Sequence, residues 1–113
     1  MTFDSAKTDY ATIHIAGDYE QAKQVCREFT KREGQCVTVT PTTYIYTGGE
    51  EAGVTVRFVN YPRFKDRDLL GTARWLADEL KTRLCQWSYL IETPTVTHWI
   101  SDKPEHATTP TNE

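Results

Sequence analysis

"PTTYIYTGGEEAGVTVRFVNYPRF", Pro41 to Phe64, sets Tyr44, Tyr46, Arg57, Tyr61 and Arg63 around a Gly48-Gly49 pair. After the glycines, Val54, Val56 and Phe58 alternate with Thr55, Arg57 and Val59, the period-two pattern of a half-buried strand. TYIYT runs toward the glycines from the other side, so the stretch predicts a β-hairpin with several residues between its strands. CVTVT, just ahead, alternates as well. Pro41 interrupts it and marks an edge position or a bend, because proline donates nothing to a strand ladder.

Upstream, ATIHIAG alternates Ala11, Ile13 and Ile15 with Thr12, His14 and Ala16, which predicts another strand. Asp18 followed by Gln21 has the form of a capping box, and Tyr19, Ala22, Val25, Cys26 and Phe29 make the apolar stripe of a helix. Gly34 suits a left-handed C-terminal stop. Downstream, Pro62 ends the hairpin and Asp66 or Asp68 caps a second helix running to about Leu84. Leu69, Ala73, Leu76, Ala77, Leu80 and Leu84 share one face of it, and Gly71 is a mild cost near its start. SYLIET, a turn at Pro94 and TVTHWIS then predict a final strand or short hairpin.

The order β-α-β-β-α-β, or the same order with one extra C-terminal strand, predicts an α+β fold. It is the ferredoxin-like split βαβ sandwich, with two helices on one face of an antiparallel sheet. Residues 1–9 read as a flexible N-terminus, 10–101 as a single domain and 102–113 as a disordered polar tail. A chain of 113 residues suffices for one modest core.

The formal charge of −3 comes from the ends, since residues 10–101 hold eleven acidic side chains and eleven lysines and arginines. A neutral core offers no broad phosphate-neutralising face, which argues against duplex DNA as a partner. No apolar run approaches the roughly 20 residues that span a bilayer, and the start lacks a basic segment followed by an apolar one. The expectation is a cytoplasmic protein with no membrane partner. Cys26, Cys36 and Cys85 are odd in number and widely spaced, which predicts neither disulfides nor a zinc site. No metal and no cofactor are expected.

Tyr44, Tyr46, Arg57, Tyr61 and Arg63 form the candidate ligand- or partner-binding set, because arginine beside tyrosine suits both interface hot spots and stacking on a nucleobase. Lys65 and Arg67 lie next to this set or simply form a solvated helix start. RNA-recognition modules share the predicted topology and place stacking aromatics on the first and third strands. Here FVNY has the tail of the third-strand motif without its basic-Gly-aromatic-Gly start, and His14 stands where a first-strand ring would be. His14, Phe58 and Tyr61 are therefore the alternative set, for single-stranded nucleic acid. A third reading, a small hydrolase, requires His14 and His98 to converge.

No nucleophile elbow, phosphate-binding loop, zinc-protease helix or dinucleotide fingerprint occurs, and neither HIA nor HWI fits a paired-histidine phosphodiesterase. Gly48-Gly49 reads as a turn rather than an anion nest, since Glu50 and Glu51 follow it. Trp75, Trp87 and Trp99 either cap the core or mark a contact surface. In its small size, neutral core, acidic ends and lack of catalytic motifs, the chain resembles small accessory proteins of bacteriophages, including those that block host defence. That resemblance implies a protein of the host cytoplasm that binds a host protein or sequesters a nucleotide-like small molecule without chemistry of its own. The functional expectation is thus a non-enzymatic, self-associating (homo-oligomeric) binding protein.

Overall fold

The computed structural model describes residues 1–64 and 67–106. Lys65, Asp66 and residues 107–113, the greater part of the expected tail, lie outside the described residues. Five strands and two helices follow in the order β1 (Tyr10–Ala16), α1 (Tyr19–Glu33), β2 (Thr38–Tyr46), β3 (Gly49–Val59), α2 (Leu69–Arg83), β4 (Ser88–Glu92) and β5 (Thr97–Ser101). Short 3-10 turns occupy Pro62–Phe64 and Pro104–His106. The sheet runs β2-β3-β1-β4-β5 with every neighbouring pair antiparallel. This is the expected ferredoxin-like arrangement with the extra C-terminal strand added beside β4.

Local chemistry sets the helix ends. The Asp18 side chain accepts a hydrogen bond from the Gln21 N–H at 2.8 Å, and Gly34 closes α1 at φ 66°, a conformation costly for a residue with a Cβ. Asp68 caps α2 by accepting from the Gly71 N–H at 2.9 Å. Both helices then bury the stripes read from the sequence: Ala22, Val25, Cys26 and Phe29 from α1, and Leu69, Ala73, Leu76, Ala77 and Leu80 from α2. Burial pushes the Cys26 thiol up to about 11, so it acts as a small apolar group.

These stripes pack on one sheet face, against Ala11, Ile13 and Ile15 of β1, Val54, Val56 and Phe58 of β3, and Tyr89 and Ile91 of β4. Trp75 caps this core from α2, with its ring edge-on to Phe29 at 5.4 Å and half exposed. The Tyr89 hydroxyl donates to Asp78 Oδ1 at 2.6 Å and ties α2 to the sheet. Pro41 sits opposite Val54 in β2, the edge strand, where its missing N–H leaves no gap in a ladder. Among the described residues, no helix is long and apolar enough to cross a membrane.

Phe58 is fully buried beneath the helices, which corrects its expected role as a stacking residue. Its parity on β3 matches Val54 and Val56, so its ring points to the core. Phe58→Ala is expected to destabilise the fold by about 3–5 kcal/mol in a denaturant melt.

Burial, reinforced by the bond to Asp78, pushes the Tyr89 phenol up to about 12 from an ordinary 10.0. A raised folded-state value means that the neutral phenol's stabilisation is whole below pH 10 and is lost as pH climbs through 12. Alkaline melts of the wild type should therefore fall more steeply across that window than those of Tyr89→Phe.

Candidate functional site

Directly opposed residues in antiparallel strands project from the same face, so the register dictates what the uncovered face presents. One row reads Thr40, Thr55, His14, Leu90 and Trp99 across all five strands, and the next carries Thr38, Arg57, Thr12, Glu92 and Thr97. His14 Nε2 lies 3.2 Å from Glu92 Oε1 on the neighbouring strand. With a proton on Nε2 for that bond, the neutral ring keeps Nδ1 as an acceptor.

β2 and β3 run past the end of β1 as a two-stranded arm, Thr43–Tyr46 paired with Gly49–Ala52 around the Thr47-Gly48 turn. Tyr44 and Glu51 face each other at its base, on the open side. The Tyr44 ring folds down over Gly53, and its hydroxyl donates to the Val54 carbonyl at 2.6 Å. A Cβ on Gly53 would fall 2.5 Å from both the Tyr44 ring and the Ile15 carbonyl oxygen, so only glycine admits this approach. Burial pushes the Tyr44 phenol up, against hydrogen bonds from Thr55, the Ile15 backbone and Thr42 that pull it down. The Tyr44 and His14 rings meet edge-on at 6.3 Å.

The arm, β1 and the start of β4 enclose a cleft of about 520 Å³, within the size range of small-molecule sites. His14, Tyr44 and Glu51 line one side, with Trp87, Leu90 and Trp99 on the other. Trp87 and Trp99 expose 54% and 56% of their surface, so the core does not account for them. Lys103 and His106 complete the wall. Residues 102–106, expected to be disordered, are folded back on the domain: the Asp102 N–H donates to the Trp87 carbonyl at 2.8 Å in the loop before β4, and Asp102 pairs with Lys81 of α2.

The sequence-predicted set does not gather in one place. Tyr44 lines the cleft, while Tyr46 is exposed near the tip of the arm. Arg57 is on the same open face, with its guanidinium 4.8 Å from the Tyr10 ring centre. Tyr61 and Arg63 lie past the far end of β3, where the Cys36 thiol meets the Tyr61 hydroxyl at 3.6 Å. His14, Phe58 and Tyr61 form no stacking platform, since Phe58 faces the core. His14 and His98 do not converge either: they oppose Leu90 and Ile91, adjacent residues of β4 that project from opposite faces. Sequence reasoning missed Glu51, Lys103 and His106. The pairing of Glu51 with Tyr44 was the one available signal, hidden by the unknown length of the turn.

No protein-family model and no curated protein matches the chain. Its fold is similar to that of a phage SAM lyase in its apo state, with a TM-score of 0.65 and 18% identity over 84% of this chain and 90% of that one. It is similar also to a phage SAM lyase in complex with S-methyl-5'-thioadenosine, with a TM-score of 0.61 and 16% identity over 89% of this chain and 95% of that one. Both neighbours are phage proteins, which agrees in general kind with the phage-accessory character of the sequence. The expectation of a non-enzymatic binding protein is corrected on this finding, because the neighbours sharing this fold over nine-tenths or more of their length are lyases. The absence of those motifs does not argue against activity, because a fold of this kind can house an active cleft without any of the signatures searched for.

Tyr44→Phe removes one hydrogen bond and should cost about 1 kcal/mol in a denaturant melt. Gly53→Ala should cost more, because the added methyl group meets backbone as well as ring. Equal melts for the two variants would mean that Tyr44 is not seated over Gly53.

Proposed function

We propose that this chain is a small lyase acting on S-adenosylmethionine or a closely related adenosyl sulfonium, with the open-face cleft as its active site. The cleft carries this reading: it joins aromatic walls to a carboxylate in a volume suited to such a ligand, on a fold shared with a SAM lyase. A sulfonium is a cation on an otherwise uncharged adenosyl group. Glu51 offers it an opposite charge and the Tyr44 ring a π-face.

Release of methylthioadenosine breaks the bond between sulfur and the aminobutyrate chain. The bonding pair goes to sulfur and cancels its positive charge. Aromatic walls beside the sulfur favour that loss of charge more than bulk water does. The carbon left behind closes onto its own carboxylate or gives up a proton from the neighbouring carbon, and in this reading Nδ1 of His14, whose Nε2 is held by Glu92, is the group that receives such a proton.

This reading replaces the hairpin-centred binding role, retaining only Tyr44 from the original set. It favours a small-molecule partner over a host protein. The anti-defence role then takes the form of depleting a methyl donor in the host cytoplasm. Self-association belongs to the same proposal, through the edge of β2, whose Ile45 and Tyr46 side chains are exposed. Light scattering that finds only monomer at micromolar concentration would remove the self-association.

Purified protein incubated with S-adenosylmethionine should release methylthioadenosine, read by liquid chromatography and mass spectrometry. Glu51→Gln should lower kcat/KM by about tenfold, equivalent to about 1.4 kcal/mol. A wild-type protein that leaves the sulfonium intact would overturn the reading.

A further inference from the structure

The C-terminal turn beyond β5 is built into the cleft, and its construction assigns a direction to the ligand. Four interactions hold this turn, two of them to α2 and to the loop before β4 and two to Ser101 at the end of β5. Asp102 pairs with Lys81, and its N–H reaches the Trp87 carbonyl. The Ser101 hydroxyl accepts the Lys103 N–H at 3.2 Å and meets His106 Nδ1 at 2.7 Å. The His106 ring is thereby held with its centre 5.0 Å from that of Trp99, tilted by 56°. Flat rings thus gather at the β5 end of the cleft, while Glu51, the carboxylate among the described lining residues, stands on β3, three strands away. At the usual spacing between strands that separation is about 14 Å.

We infer that Trp99 and His106 form the seat of the purine, so that the ligand lies with its adenine over β5 and its sulfonium toward Glu51 and Tyr44. This rests on the lyase reading of the cleft and goes beyond it by making the C-terminal turn part of the binding site. The physical grounds are charge and shape. An uncharged aromatic base gains most from stacking on exposed rings that no core contact uses. The cationic centre gains most beside the carboxylate, and the reverse orientation would set it toward the Lys103 ammonium. When Nδ1 takes the Ser101 hydroxyl proton, Nε2 of His106 carries a proton for N1, N3 or N7 of the purine, which are acceptors.

Calorimetric titration of methylthioadenosine and S-adenosylmethionine into the full chain tests the assignment. His106→Ala and Trp99→Ala should weaken methylthioadenosine by at least about tenfold without lowering the melting temperature by more than a few degrees. Glu20→Ala, on α1 and absent from the cleft wall, should bind both compounds as the wild type does. Glu51→Gln should weaken the charged sulfonium and spare the neutral thioether. If the wild type binds both compounds and His106→Ala and Trp99→Ala bind methylthioadenosine equally well, the purine seat is elsewhere and the lyase reading stands. If the wild type binds neither compound and turns none over, the lyase reading and the seat fall together.

Discussion

Two helices cover one face of a five-stranded sheet and leave the other bare, and the properties of this protein descend from that asymmetry. The stripes of α1 and α2 are apolar enough to bury Ile13, Val56, Phe58 and Ile91 completely. At roughly 25 cal/mol per Å² of apolar surface, such burial is the main source of stability in a domain this small. Strand geometry then does the rest: each side chain driven into the core leaves its neighbours on the opposite face. His14 is presented to solvent because Ile13 and Ile15 are not.

An open sheet face is only a surface until something gives it depth. Here that depth comes from two additions to the four-stranded core. The hairpin arm overhangs β1 and carries Tyr44 and Glu51 above the plane, and its base depends on the missing side chain of Gly53. At the other edge, β5 and the turn after it raise Trp99, Lys103 and His106 into a second wall. The cleft between them mixes π-faces, the Glu51 carboxylate and basic groups.

Much of the fold was legible in the residues. Asp18 and Gly34 bracket α1, the alternation in β1 and β3 identifies their buried sides, and Pro41 points to an edge. Burial of the tryptophans was not legible, because a tryptophan between apolar and polar neighbours fits either a core or a surface. The structure divides them: Trp75 packs edge-on to Phe29, while Trp87 and Trp99 open onto the cleft. The Tyr/Arg content of the hairpin suggested one contiguous patch, yet the strands distribute these residues along their full length. Arg63 and Tyr46 stand at opposite ends of β3 and its arm.

The sequence by itself determined the elements, their caps and the side of each that is buried, because these depend on contacts between residues close in the chain and on a period that local geometry imposes. It also determined the topology, since alternation and element order leave few ways to cover every apolar stripe. Only the tertiary structure decided which residues meet. His14 with Glu92, Tyr44 over Gly53 and His106 against Trp99 depend on strand register and on a turn whose polar composition suggested disorder. A site assembled from five strands and a tail has no signature along the chain, because its distances are set across the sheet.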